Sequence, residues 1–110
     1  MSARRKDTAA KQLEAQLRRE YRTLFRTLTK AFRAADPIML GPDIPADEYE
    51  PEVSRVLAGL SGCRDVASVQ QLVHAVFVEM FTAGIAGPLS DYRQLAQVTW
   101  ALWKEHRSGT

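Results

Sequence analysis

The chain has little of what catalysis and metal binding draw on. It holds one cysteine, Cys63, and two histidines, His74 and His106, in 110 residues. One cysteine can form no internal disulfide and no multi-cysteine zinc site, which fits a reducing compartment. No run of about 18 apolar residues exists, so no membrane span is expected. The basic start, Arg4, Arg5 and Lys6, is not followed by the apolar stretch of a signal peptide. A cytoplasmic location is therefore expected. The sequence has no glycine-rich phosphate loop, no His-Glu-x-x-His, no nucleophile elbow and no Cys-x-x-Cys. Cys63, between Gly62 and Arg64, reads as a small turn residue. His74, between Val73 and Ala75, reads as a packing or surface side chain. His106 suits the negative end of a helix dipole. A non-enzymatic protein without metal or cofactor is the expectation.

What is present describes one folded domain spanning 1–110, with 1–7 and 108–110 expected to fray. Hydrophobic residues make up 45 % and charged residues 25 %, enough apolar side chains to build a core and too few charges for a disordered chain. The net charge of +2 hides a strong segregation. Residues 1–35 carry ten Lys/Arg against three Asp/Glu, or +7; residues 36–65 carry two against seven, or −5; the remainder balances. A basic first third thus precedes an acidic middle.

Apolar periodicity predicts four helices and no strand. Leu13, Leu17, Tyr21, Leu24, Leu28, Phe32 and Ala35 step by three or four residues and predict one continuous helix over 8–35. At 1.5 Å per residue it would be on the order of 40 Å long and would project from the body at its N-terminal end. Asp36-Pro37 ends it. Pro37 to Pro51 holds four of the five prolines. Ile38, Met39, Leu40, Ile44 and Tyr49 make this segment too apolar for a linker. An ordered loop is expected, with Ile38, Leu40 and Tyr49 on the core. Pro51 suits the first turn of a second helix, with Val53, Val56, Leu57 and Leu60 inward, Glu48, Glu50 and Glu52 near its positive end, and Ser61-Gly62 stopping it. A third helix is predicted over 66–83, capped by Asp65 or Ser68 and apolar nearly all round, as a central helix should be. Gly84 to Pro88 reads as a turn. The last helix is predicted from Ser90 to His106, with Tyr92, Leu95, Ala96, Thr99, Leu102 and Trp103 inward.

Three features could serve recognition. Arg19, Arg22, Arg26, Lys30 and Arg33 form one cationic ridge opposite the leucine stripe of the first helix. Such a ridge can neutralise phosphates, meet an acidic protein surface or simply solvate a helix. No aromatic interleaves with it, so stacking on single-stranded bases is unsupported. Asp43, Asp47, Glu48, Glu50 and Glu52 do not match a calcium loop and read as a solvated acidic face or a surface for a basic partner. Trp100 lies at the edge of the inner face of its helix and reads as a rim residue or an interface anchor, with Trp103 in the core.

Ala35-Asp36-Pro37-Ile38-Met39-Leu40, followed by Pro45-Ala46-Asp47-Glu48-Tyr49-Glu50-Pro51-Glu52-Val53, resembles a pattern of small bacterial helical proteins similar to YugE, Asp-Pro-Ile-x-Leu … Asp-Glu-Tyr-x-x-Glu. Phe81, the Gly84–Pro88 turn and Trp100 also fit that family's layout. The resemblance runs from about Phe32 to Trp103 and implies a helical fold, with no activity, substrate or catalytic residue to carry over. The basic first helix, up to about Ala31, lies outside it.

The resulting expectation is an all-α, compact four-helix domain with a long basic first helix and a proline-rich acidic loop. Its expected role is protein–protein binding, as a small regulator or an immunity-type inhibitor of an intracellular partner. The alternatives are nucleic-acid binding through the first helix and a homodimer using the leucine stripe as a seam.

Overall fold

The apolar stripes do become helices, but the first stripe is interrupted at one residue, Tyr21, across which the backbone bonds from Tyr21 N–H to Leu17 O and from Phe25 N–H to Tyr21 O still run. The structure, a computed structural model, describes residues 8–41, 43, 45 and 47–109. Its helices are α1 (Thr8–Glu20), α2 (Arg22–Ala35), α3 (Glu50–Leu60), α4 (Val66–Met80), α5 (Ala83–Ala86) and α6 (Arg93–Ser108), with a 3-10 turn at Leu89–Tyr92. No strand occurs among the described residues. The expected fraying at 1–7 and Thr110 lies outside them, whereas Ser108 still belongs to α6.

The continuous first helix is corrected at Tyr21, whose φ −118°, ψ 43° interrupts the helical path. No glycine or proline marks this bend. Its cause is tertiary: α1 lies against α3, whereas α2 lies against both α3 and α6. The Tyr21 ring sits at the corner, 6.1 Å from the Trp103 ring and 5.3 Å from His106. Leu17, near the C-terminal end of α1, is buried in the core, whereas Lys11, Gln12 and Leu13 toward its N-terminal end are exposed. The radius of gyration, 13.2 Å, matches the value of about 13 Å for a compact chain of this length.

α4 occupies the middle, in contact with α3, α5, α6 and the 3-10 turn. Asp65 caps it by accepting from Ser68 N–H, while Ser68 Oγ accepts from Asp65 N–H, a reciprocal capping box. Val69, Val73, Val76 and Phe77 are buried from it. Phe77 is the hub, with ring centroids 6.0 Å from Phe32, 5.9 Å from Tyr49, 5.9 Å from Phe81 and 5.5 Å from Tyr92. One side chain thus joins α2, the segment before α3, α4 and the 3-10 turn. Gly59 lets α3 approach α4 closely, since a Cβ there would meet Leu72 Cδ1 at 2.7 Å.

Three further boundaries differ from expectation. The third helix stops at Met80, and the expected turn at Gly84–Pro88 contains α5, capped by Thr82 Oγ1 accepting from Ile85 N–H and closed by Gly87 at φ +80°. Ser90 does not cap the last helix. It lies in the 3-10 turn, and α6 begins at Arg93. Between Ala35 and Glu50 no helix occurs among the described residues. There Tyr49 is buried and Ile38 packs against the core, as the apolar pattern suggests. Leu40 does not: it is 40 % exposed, and Met39 beside it is 88 % exposed. Pro42, Ile44 and Ala46 lie outside the described residues.

Asp36 explains why Leu40 turns outward. It ends α2 in the left-handed region, φ 46°, its own N–H bonding Phe32 O. Its carboxylate accepts from Leu40 N–H at 2.8 Å, Gly41 N–H at 2.9 Å and Tyr49 OH at 2.6 Å. Ordering the backbone around this carboxylate leaves the next side chains facing away from the core. Burial opposes ionisation of Asp36, but the bonds from Tyr49, Gly41 and Leu40 outweigh it and hold the carboxyl below its ordinary range.

Candidate binding surface

Part of the cationic ridge lies in a concave face bounded by α1, α2 and the first residue of α3. A cavity of about 580 Å³ is lined by Arg18, Arg19, Arg22, Phe25, Arg26, Thr29, Lys30 and Glu50. Four members of the ridge, Arg19, Arg22, Arg26 and Lys30, therefore share one wall. Each is exposed and makes no ion pair within the described residues. Arg33 is not among the lining residues; it is half-buried and engaged within the chain.

Arg18 is the residue the sequence reading missed. Its Nη2 lies 2.7 Å from a Glu14 oxygen one turn back and 2.7 Å from a Glu50 oxygen at the start of α3. Its guanidinium sits 5.2 Å from the Phe25 ring centroid. Glu14 four residues before Arg18 was a legible pair. The partnership with Glu50 depends on the packing of α1 against α3, which nothing in the local sequence marks. Thr29 donates its hydroxyl to Phe25 O at 2.8 Å, so only its acceptor capacity remains. Burial, aided by Asp47 and Glu14 and opposed by Arg18, raises the Glu50 carboxyl above its ordinary range.

The acidic candidates are dispersed. Glu50 faces the basic cavity, Asp43 and Asp47 are exposed, and Glu48 is half-buried. Glu52, read as part of a solvated acidic face, is fully buried and engaged. That is a correction: Glu52 shares the inward stripe of α3 with Val53, Val56 and Leu60, because positions three to four residues apart lie on one face. No group of three His, Cys, Asp or Glu among the described residues could hold a metal ion.

No protein family, curated protein or solved structure matches the chain.

The remaining candidates are occupied by the fold. His74 Nε2 lies 2.9 Å from Gly87 O and must be the protonated nitrogen, since a carbonyl only accepts; its ring rests 5.2 Å from Tyr92. His106 stacks on Trp103 at 6.0 Å and meets the Tyr21 ring at a 56° tilt. Burial pushes the Cys63 thiol up, and its sulfur contacts Gly59 O at 3.7 Å. A raised thiol is a poor nucleophile. Trp103 is buried and Trp100 is half-buried, with Lys104 Nζ 5.7 Å from its ring centroid. Trp100 is not among the residues lining the basic cavity. The proposed dimer seam is largely consumed: Leu17, Leu24, Leu28 and Phe32 are buried in this chain's own core, while Leu13 is exposed. No described helix is long and apolar enough to cross a membrane.

Proposed function

We propose that this chain is a non-enzymatic protein-binding module, a small regulator or immunity-type inhibitor, acting in the cytoplasm through the basic face of the α1–α2 bend. One observation carries the reading: Arg19, Arg22, Arg26 and Lys30 line a concave wall without ion-pair partners among the described residues. Like charges held together without counter-ions repel one another, and an incoming anionic group relieves that repulsion. The segment between Ala35 and Glu50 we read as an ordered acidic loop beside this face, in a domain of four principal helical regions similar to YugE-like proteins.

Nucleic acid is the second reading, and the same unpaired cations favour it. Native capture from lysate, with and without nuclease, separates the two. A stoichiometric complex that survives nuclease is expected. A complex that nuclease dissolves, with submicromolar affinity for duplex DNA or structured RNA at physiological salt, would move the assignment to nucleic acid.

A further inference from the structure

Resting on the protein-binding reading, we propose that the basic cavity docks an acidic helix whose carboxylates recur four residues apart. Arg22, Arg26 and Lys30 are spaced by four residues along α2 and line one wall of the cavity. Successive members of such a row rise by about 6 Å. Carboxylates spaced by four on a partner helix rise by the same amount, so the two rows stay in step over three contacts. Guanidinium groups meet carboxylates through two parallel hydrogen bonds, which favours arginine in such a row.

The far side of the cavity already holds this chemistry. Glu50, at the first turn of α3, places its carboxylate 2.7 Å from Arg18. The chain thus supplies one carboxylate–guanidinium contact at this wall, through a single Arg18 nitrogen, and leaves Arg19, Arg22, Arg26 and Lys30 without an ion pair among the described residues. Nucleic acid fits less well. Phe25 is the only aromatic lining residue, is 4 % exposed and lies beneath Arg18, so no face is offered for base stacking.

The test uses the full chain and three fluorescent probes at physiological salt. One is an alanine-rich helical peptide with four glutamates spaced by four. The second has the same composition with the glutamates contiguous, and the third is a short oligothymidylate. The spaced peptide should bind about tenfold more tightly than the contiguous one. Arg22→Gln with Arg26→Gln should weaken it by about tenfold or more, on the order of 0.7 kcal/mol per exposed cation removed. The thermal midpoint of the double variant should not fall below the wild-type value, because these side chains are exposed and their removal relieves like-charge repulsion. Equal binding of the two peptides, or no effect of the double substitution, overturns the inference. Sedimentation showing that the cavity is covered by a second copy of the chain overturns it too. A nuclease-resistant protein complex that loses affinity on the double substitution while the two peptides bind equally sinks this proposal and leaves protein binding through the basic face standing. Tighter binding of the oligonucleotide sinks both.

Discussion

Asp36 does three jobs with one side chain: it closes α2, orders the backbone to Gly41 and anchors Tyr49. Aspartate tolerates the left-handed conformation better than most residues, and its carboxylate supplies the acceptors. Asp36→Asn keeps the backbone preference but weakens charge-assisted bonds, so it should cost about 1–2 kcal/mol at neutral pH in urea unfolding. Because the folded carboxyl lies below its ordinary value of 3.8, the stabilisation is present above that pH and lost as pH falls through the folded value. The gap between wild type and Asp36→Asn should therefore narrow below about pH 4; a constant gap would show that the charge is not what matters. Tyr92 titrates the opposite way. Burial, with Asp91 nearby, pushes its hydroxyl up to about 12, and the hydroxyl donates to Ala86 O at 2.6 Å. Its contribution is full below the ordinary tyrosine value of 10.0 and is lost as pH rises through about 12. Tyr92→Phe should flatten the alkaline limb of the stability–pH curve over that window. Asp36 and Tyr49 were legible as a helix stop and an apolar anchor, but their mutual bond was not, because thirteen residues separate them.

The helices themselves were legible where one apolar face decides the matter. Leu17, Leu24, Leu28 and Phe32 are buried as their spacing requires, and the near-continuous apolar circumference of α4 matches its central place. The bend at Tyr21 was not legible, since packing of Tyr21 on α6 and of α1 on α3 decides it and local propensity does not. α5 was hidden for a related reason: glycines and a proline between Gly84 and Pro88 look like a turn, and a Thr82 cap with one helical turn fits within the same composition. Two substitutions test the elements. Phe77→Ala removes the ring shared by four segments and should cost about 3–5 kcal/mol, read as a shifted urea midpoint. Arg18→Gln breaks the link from α1 to Glu50, but the pair is partly exposed, so the global cost should stay within about 1 kcal/mol. Amide exchange should instead accelerate in α1 while α2 keeps its protection; uniform protection would show that Leu17 alone holds α1 in place.

For the whole molecule, the segregation of charge along the chain becomes a segregation in space at one concave wall. The cationic ridge was legible from its spacing. Its concavity and the inclusion of Glu50 were not, because they depend on the packing of the start of α3 beside α1 and α2, which lie far from it in sequence. The central claim is that this wall is the partner-facing surface. Its most direct test is the dissociation constant of a nuclease-treated native complex, measured for the wild type and for Arg22→Gln, Arg26→Gln, Lys30→Gln combined. Exposed substitutions of unpaired cations should move stability by no more than about 0.5 kcal/mol. The account predicts a folded triple variant that binds its partner at least tenfold more weakly, roughly 1.4 kcal/mol. A folded triple variant with wild-type affinity would contradict it.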